Sequence, residues 1–210
     1  MARATLLNQD RWAGLLDAFG IEGEGATFDA LVAAYSQKHR HYHTVKHIEH
    51  CLREFESVKE LAGEPAEVEL ALWFHDAVYD TRASNNEARS ADWACELLDR
   101  HGVDPERVER VSMLIMATRH EAPAATPDSH LLVDVDLAIL GADEVTYAEF
   151  EKNVRHEYCW VPSILFRRKR AEILESFLAR PQIYNTPPFH ARLEQAARRN
   201  LAAAISGLRR

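Results

Sequence analysis

Eleven histidines stand out in 210 residues, and five of them, His39, His41, His43, His47 and His50, fall within twelve positions. His43 and His47 are four apart, so a helix would stack them on one face, and His50 lies a further three on. A second feature is the adjacent pair His75-Asp76, which follows the apolar run Leu70-Ala71-Leu72-Trp73-Phe74. A histidine and a carboxylate at the edge of a core are costly to desolvate unless something compensates them, and a divalent metal is the obvious compensation. The third feature is Val133-Asp134-Val135-Asp136-Leu137, two carboxylates in an otherwise apolar segment, where buried acids need partners or a cation. A mixed nitrogen and oxygen set of this kind suits Mn²⁺, Fe²⁺, Co²⁺, Ni²⁺ or Zn²⁺ better than Ca²⁺, with Mg²⁺ also open.

The elements that must position these residues read as helices throughout, with no convincing alternating strand. The periodicity predicts a first helix over Asn8 to Phe19 and a second that Thr27 caps, carrying Phe28, Leu31, Val32 and Tyr35. Gln37 to Tyr42 reads as a polar connection. A long third helix is expected from Thr44 to Leu61, with Val45, Ile48, Leu52, Phe55 and Val58 as its apolar stripe. The next runs from Pro65 to His75 and carries the His-Asp pair at its C-terminal end. That placement matters, because helical neighbours diverge by roughly 100° and both reach one metal only near a helix end.

Asn85 or Asn86 is expected to cap a helix to Arg100, closed by Gly102, and Asp104-Pro105 opens another. Ala122 to Ser129 reads as a loop, Leu131 to Leu140 as a short helix, and Thr146 to Tyr158, Ser163 to Ala179 and Pro188 to Leu208 as the last three. No linker rich in Gly, Ser or Pro marks a boundary. The expectation is one all-α domain over 1–210, with a metal-binding core roughly at 40–141 and C-terminal helices at 142–210 packed on it.

Composition narrows the function. The formal charge of −8 argues against stable nucleic-acid binding, which needs a basic surface. The run Arg167-Arg168-Lys169-Arg170 is a solvated helix face or a local phosphate-gripping patch. No stretch of about 18 apolar residues spans a membrane. Three scattered cysteines without CxxC spacing fit a reduced, cytoplasmic compartment. Eight glycines and no Gly-rich loop leave little room for a Rossmann or P-loop site.

The ordered set of His, His-Asp and Asp resembles that of the HD-superfamily metal-dependent phosphohydrolases, in particular their small bacterial members. The likeness runs through Tyr42, His43, His47 and Ile48, then Trp73 to Asp80, Asn86-Glu87, Arg119-His120 and Asp134 to Gly141. It continues more weakly through Arg155 to Tyr158, Ile183-Tyr184 and Ala197 to Leu201. The resemblance implies an HD-type helical bundle in which His47, His75, Asp76 and one of Asp134 and Asp136 bind one or two ions. Asp136 is favoured for its place before Leu137, leaving Asp134 as a supporting acid.

The resemblance further implies His43 as general acid. Asp80 or Glu87 would orient or deprotonate the attacking water, although an acid in the first turn of a helix is equally what the dipole favours at Glu87. A metal would lower the pKa of that water to about 7. Arg40, Lys46, Arg119 and His120 are candidate contacts to the substrate phosphate, with a second metal as another role for His120. The implied activity is hydrolysis of a phosphate ester or anhydride in a small metabolite, foremost a nucleotide. The alternatives are an HD-type di-iron oxygenase, which would draw on His50 and His120, and a non-catalytic nucleotide-binding sensor.

Overall fold

The computed structural model describes residues 5–120 and 124–210, and among these every regular element is helical. In chain order the helices are α1 (Gln9–Asp17), α2 (Gly25–Tyr35), α3 (Val45–Glu56), α4 (Pro65–Phe74), α5 (Asn86–Arg100), α6 (Pro105–Ala117), α7 (Pro127–Asp136), α8 (Glu144–Glu157), α9 (Ser163–Leu178) and α10 (Pro187–Leu208). Two 3₁₀ turns, Lys59–Leu61 and Leu137–Gly141, follow α3 and α7. The all-α expectation is therefore met. Among the described residues no helix is long and apolar enough to cross a membrane.

The chain divides into two compact units, Met1–Val133 and Asp134–Arg210. The division falls inside α7, so composition carries no trace of it.

The first unit is built round α4. Residues Glu67 to Phe74 are buried on every side, which is the mark of a helix enclosed by others. Helices α6, α3, α5 and α1 pack against it, and α5 also packs along α6. Trp73, fully buried, meets the Trp12 ring edge-on at 5.2 Å and the tilted Phe28 ring at 6.0 Å. The buried acids in the first half of α4 are paired rather than left bare. Glu67 takes Arg107 (3.1 Å) and Arg110 (2.7 Å), and Glu69 takes Arg11 (2.7 Å) and Lys59 (3.2 Å).

Local chemistry sets most boundaries. Asn8 caps α1 by accepting from the Arg11 amide, Thr44 caps α3, and Asp104 caps α6. Gly102, at φ 69°, makes the left-handed step after α5. Three expectations need correction. Thr27 does not cap α2: the helix starts earlier, at Gly25, and the Thr27 hydroxyl donates to the Glu24 carboxylate from within its first turn. The third helix is not continuous to Leu61. It stops at Glu56, where the Ser57 hydroxyl donates to the Glu54 carbonyl at 2.7 Å, and Val58 leaves helical geometry yet stays buried. Neither asparagine caps α5 through its side chain. Asn86 instead exchanges two hydrogen bonds with the Asp80 backbone. The expected loop over Ala122 to Ser129 lies partly outside the described residues, and from Pro127 onward the chain is already helical.

In the second unit α10 packs along α9 and against the 3₁₀ turn Leu137–Gly141. Gly141 sits so close to α10 that a Cβ there would stand 2.6 Å from Leu193 Cβ and 3.0 Å from its carbonyl oxygen. Asn200 fastens the same approach, its side-chain amide donating to the Leu140 and Ala142 carbonyls, both at 2.9 Å. Glu194 accepts from the Ile183 and Tyr184 amides, which ties the loop before α10 to the helix.

Candidate metal centre

The helix α4 ends at Phe74, and His75 is its C-cap. Asp76 therefore follows outside the helix, in the turn that continues from it. The two side chains converge: His75 Nε2 lies 3.2 Å from Asp76 Oδ2. From α3, His47 points to the same spot, its Nε2 3.0 Å from His75 Nε2 and 3.4 Å from Asp76 Oδ2.

The backbone decides which ring nitrogen is available. His75 Nδ1 is 2.9 Å from the Leu72 carbonyl, which can only accept, so Nδ1 carries a proton and Nε2 is the ring nitrogen left for an ion, offering its lone pair once the ring is neutral. Two imidazole nitrogens and a carboxylate oxygen then face one another. Nitrogen donors about 2.1 Å from an ion stand roughly 3.0 Å apart at a right angle and roughly 3.4 Å apart at a tetrahedral angle. The separations of 3.0, 3.2 and 3.4 Å match that span, so a divalent ion fits here.

Burial pushes the Asp76 carboxyl up, but His75, His43 and His47 together pull it well below the usual carboxylate range. Cys51 joins the two histidines rather than Asp76: His47, Cys51 and His75, all buried, each offer a donor atom, and these lie within 4.8 Å of one another.

The turn that presents Asp76 is held from several directions. Buried Tyr35 donates to the Trp73 carbonyl (3.1 Å) and accepts from the Asp76 amide (3.2 Å). Burial, then the Asp76 charge, lifts the Tyr35 phenol well above its ordinary value, so it remains a neutral donor. Arg40 is buried and donates to the carbonyls of His43 (3.0 Å), Asp76 (2.7 Å) and Ala77 (2.9 Å), with its guanidinium over the Tyr35 and Tyr79 rings. These bonds make Arg40 a positioning residue for the turn, where its place in the sequence suggested a phosphate contact. His39 meets the Tyr79 carbonyl at 2.9 Å, and Ser90 accepts from the Val78 amide at 3.0 Å.

The other candidates are distributed as follows. His43 is half-buried, its ring 5.7 Å from that of His47 and 4.3 Å from that of Tyr79. Lys46 is exposed on the first turn of α3, and His50 is half-buried further along it. Asp80 is exposed and accepts from the Arg82 amide at 2.9 Å, and Glu87 is half-buried in the first turn of α5.

Arg119 and His120 follow α6, where Arg119 lines a cavity of about 710 Å³ with Arg110, Met113, Met116 and Asp128. None of the metal-donor residues lines that cavity. His120 is the one non-glycine at positive φ (56°) among the described residues.

In the second unit, Asp136 is half-buried at the end of α7. Asp134 is fully buried, and its carboxylate accepts from the Asn185 amide (2.8 Å) and side chain (3.2 Å) and from the Thr186 amide and hydroxyl (both 2.6 Å). Those four donors occupy the Asp134 oxygens.

Cys51 and Tyr35 escaped the reading of the sequence. Cys51 had a signal, since it stands one helical turn beyond His47. Tyr35 had none, being one more member of an apolar stripe. Comparison of the chain with protein-family models, with curated proteins and with solved structures finds no match.

Proposed function

We propose that this protein is a metal-dependent phosphohydrolase that cleaves a phosphate ester or anhydride in a small metabolite, foremost a nucleotide, in the cytoplasm. The observation that carries the proposal is the convergence of His47, His75 and Asp76, with separations of 3.0–3.4 Å, at the end of an enclosed helix. In this reading His47, His75 and Asp76 hold the ion, and Asp136 is the further carboxylate donor that the HD-type resemblance nominates. A divalent ion would supply Lewis acidity, making water nucleophilic near neutral pH and drawing charge from the phosphoryl oxygens.

The chain supplies the rest. His43 donates a proton to the leaving oxygen, and its edge-on contact with Tyr42 at 4.9 Å and packing on Tyr79 hold the ring for that task. Asp80 or Glu87 orients the attacking water. Lys46, Arg119 and His120 take the substrate phosphate as charged or polar contacts. Tyr35 and Arg40 keep the turn of Asp76 from relaxing when the ion binds.

The test is phosphate release from a panel of nucleotides and phosphomonoesters with Mn²⁺, Co²⁺ or Ni²⁺, alongside His75→Ala and Asp76→Ala. Metal-dependent turnover that both variants lose is the expected result. Equal turnover in the variants would overturn the mechanism. Nucleotide binding without turnover would make the protein a sensor.

A further inference from the structure

We propose that Cys51 is a thiolate ligand of the same ion, which makes the centre softer than a histidine and aspartate set and biases it toward Zn²⁺, Co²⁺ or Fe²⁺ over Mg²⁺. The inference rests on the reading that His47 and His75 hold a metal, and it adds the residue that selects among metals.

Helix α3 places Cys51 one turn beyond His47 on the same face. The residue is fully buried, and its sulfur lies 3.8 Å from both ring nitrogens of His47. His75, whose Nε2 is the ring nitrogen left open when Nδ1 binds the Leu72 carbonyl, belongs to the same group of donors within 4.8 Å.

A buried cysteine is ordinarily a small apolar side chain that fills a core. Cys51 differs in what it faces, since its sulfur lies against the His47 ring and within 4.8 Å of a donor atom of His75. Sulfur about 2.3 Å and nitrogen about 2.1 Å from a tetrahedral ion stand roughly 3.6 Å apart, so a side-chain rotation that carries the sulfur from beside the His47 ring toward its Nε2 brings Cys51 into a coordination shell. On coordination the thiol proton leaves to solvent and the sulfur–metal bond takes its place. Two imidazoles and a thiolate favour borderline and soft ions, whereas Mg²⁺ prefers oxygen.

The full-length chain, stripped of metal and kept anaerobic, is titrated with Co²⁺ while near-ultraviolet absorbance is followed. The wild type is expected to bind Co²⁺ with a sulfur-to-cobalt charge-transfer band. Cys51→Ser and Cys51→Ala are both expected to lose that band and to bind Co²⁺ at least about tenfold more weakly, at unchanged helical content. A Cys95→Ser/Cys159→Ser variant should keep the band. Wild-type binding without the band, or a band that survives both Cys51 substitutions, overturns the thiolate ligand and leaves the histidine site standing. No Co²⁺ binding by the wild type overturns both.

Discussion

Asp76 and Asp134 are both largely withdrawn from water, yet their oxygens keep opposite company. Asp134 is enclosed by hydrogen-bond donors from Asn185 and Thr186, and it holds the entry to α10. Asp76 has imidazoles in front of it and keeps its hydrogen-bonding support behind, on its own backbone, through Tyr35 and Arg40. Their titration differs accordingly. Burial raises Asp134 more than its donors lower it, whereas for Asp76 the imidazoles outweigh burial. A carboxylate whose lone pairs are filled by the protein builds structure. One whose backbone is fixed while an oxygen faces two imidazoles could share a cation with them.

The sharpest way to break this contrast is to remove each side of it. His75→Ala and Asp76→Ala should lose metal in elemental analysis, and phosphate release should fall by more than the roughly 10–100-fold that a supporting residue costs. Asp134→Ala should retain metal but strand the buried Asn185 and Thr186 amides. A loss of about 3 kcal/mol is expected, seen as a Tm lower by roughly 6–12 °C. If Asp134→Ala instead loses metal as fully as Asp76→Ala, the two acids are not different in kind.

Smaller effects test the supports. Tyr35→Phe leaves the Trp73 carbonyl and the Asp76 amide without their shared partner, which should cost about 1–2 kcal/mol in urea unfolding and about tenfold in metal affinity. Arg40→Lys should fall in the same range, because an ammonium cannot bridge three carbonyls while lying over two rings.

The smallest effect is a pH slope. Asp134 is raised from 3.8, so the native state holds its proton more tightly than the unfolded chain. Its contribution to stability is therefore present below that ordinary value and lost as pH rises through the elevated native one. Urea midpoints of the wild type relative to Asp134→Asn should decline over that rise, and an increase would contradict the assignment.

Much of the fold was legible because helical periodicity and capping are local. Asn8, Thr44, Asp104 and Gly102 act within a few residues of themselves, and the boundaries they mark are close to those expected. The errors came where side chains compete with the backbone. The Ser57 hydroxyl takes a helical carbonyl and ends α3 early, although the apolar stripe continues through Val58. Of the candidate centre, His47, His75 and Asp76 could be named from spacing and from their position after an apolar run. The helix end that lets His75 and Asp76 converge was expected, but the 3.0 Å approach of His47 could not be read that way, since it depends on how α3 packs on α4.

By itself, then, the sequence determined the all-helical class, the order of the helices and the residue types able to hold a metal. These follow from propensity, periodicity and donor chemistry, each carried by a short stretch of chain. The tertiary structure alone decided that His47 comes within 3.0 Å of His75 and that Tyr35 and Arg40 hold the Asp76 turn. It also decided that Asn185 and Thr186 close round Asp134, about fifty positions further along the chain. Such contacts join groups distant in sequence, and hydrogen-bond and ligand chemistry is settled by separations of a few tenths of an ångström that no local pattern encodes.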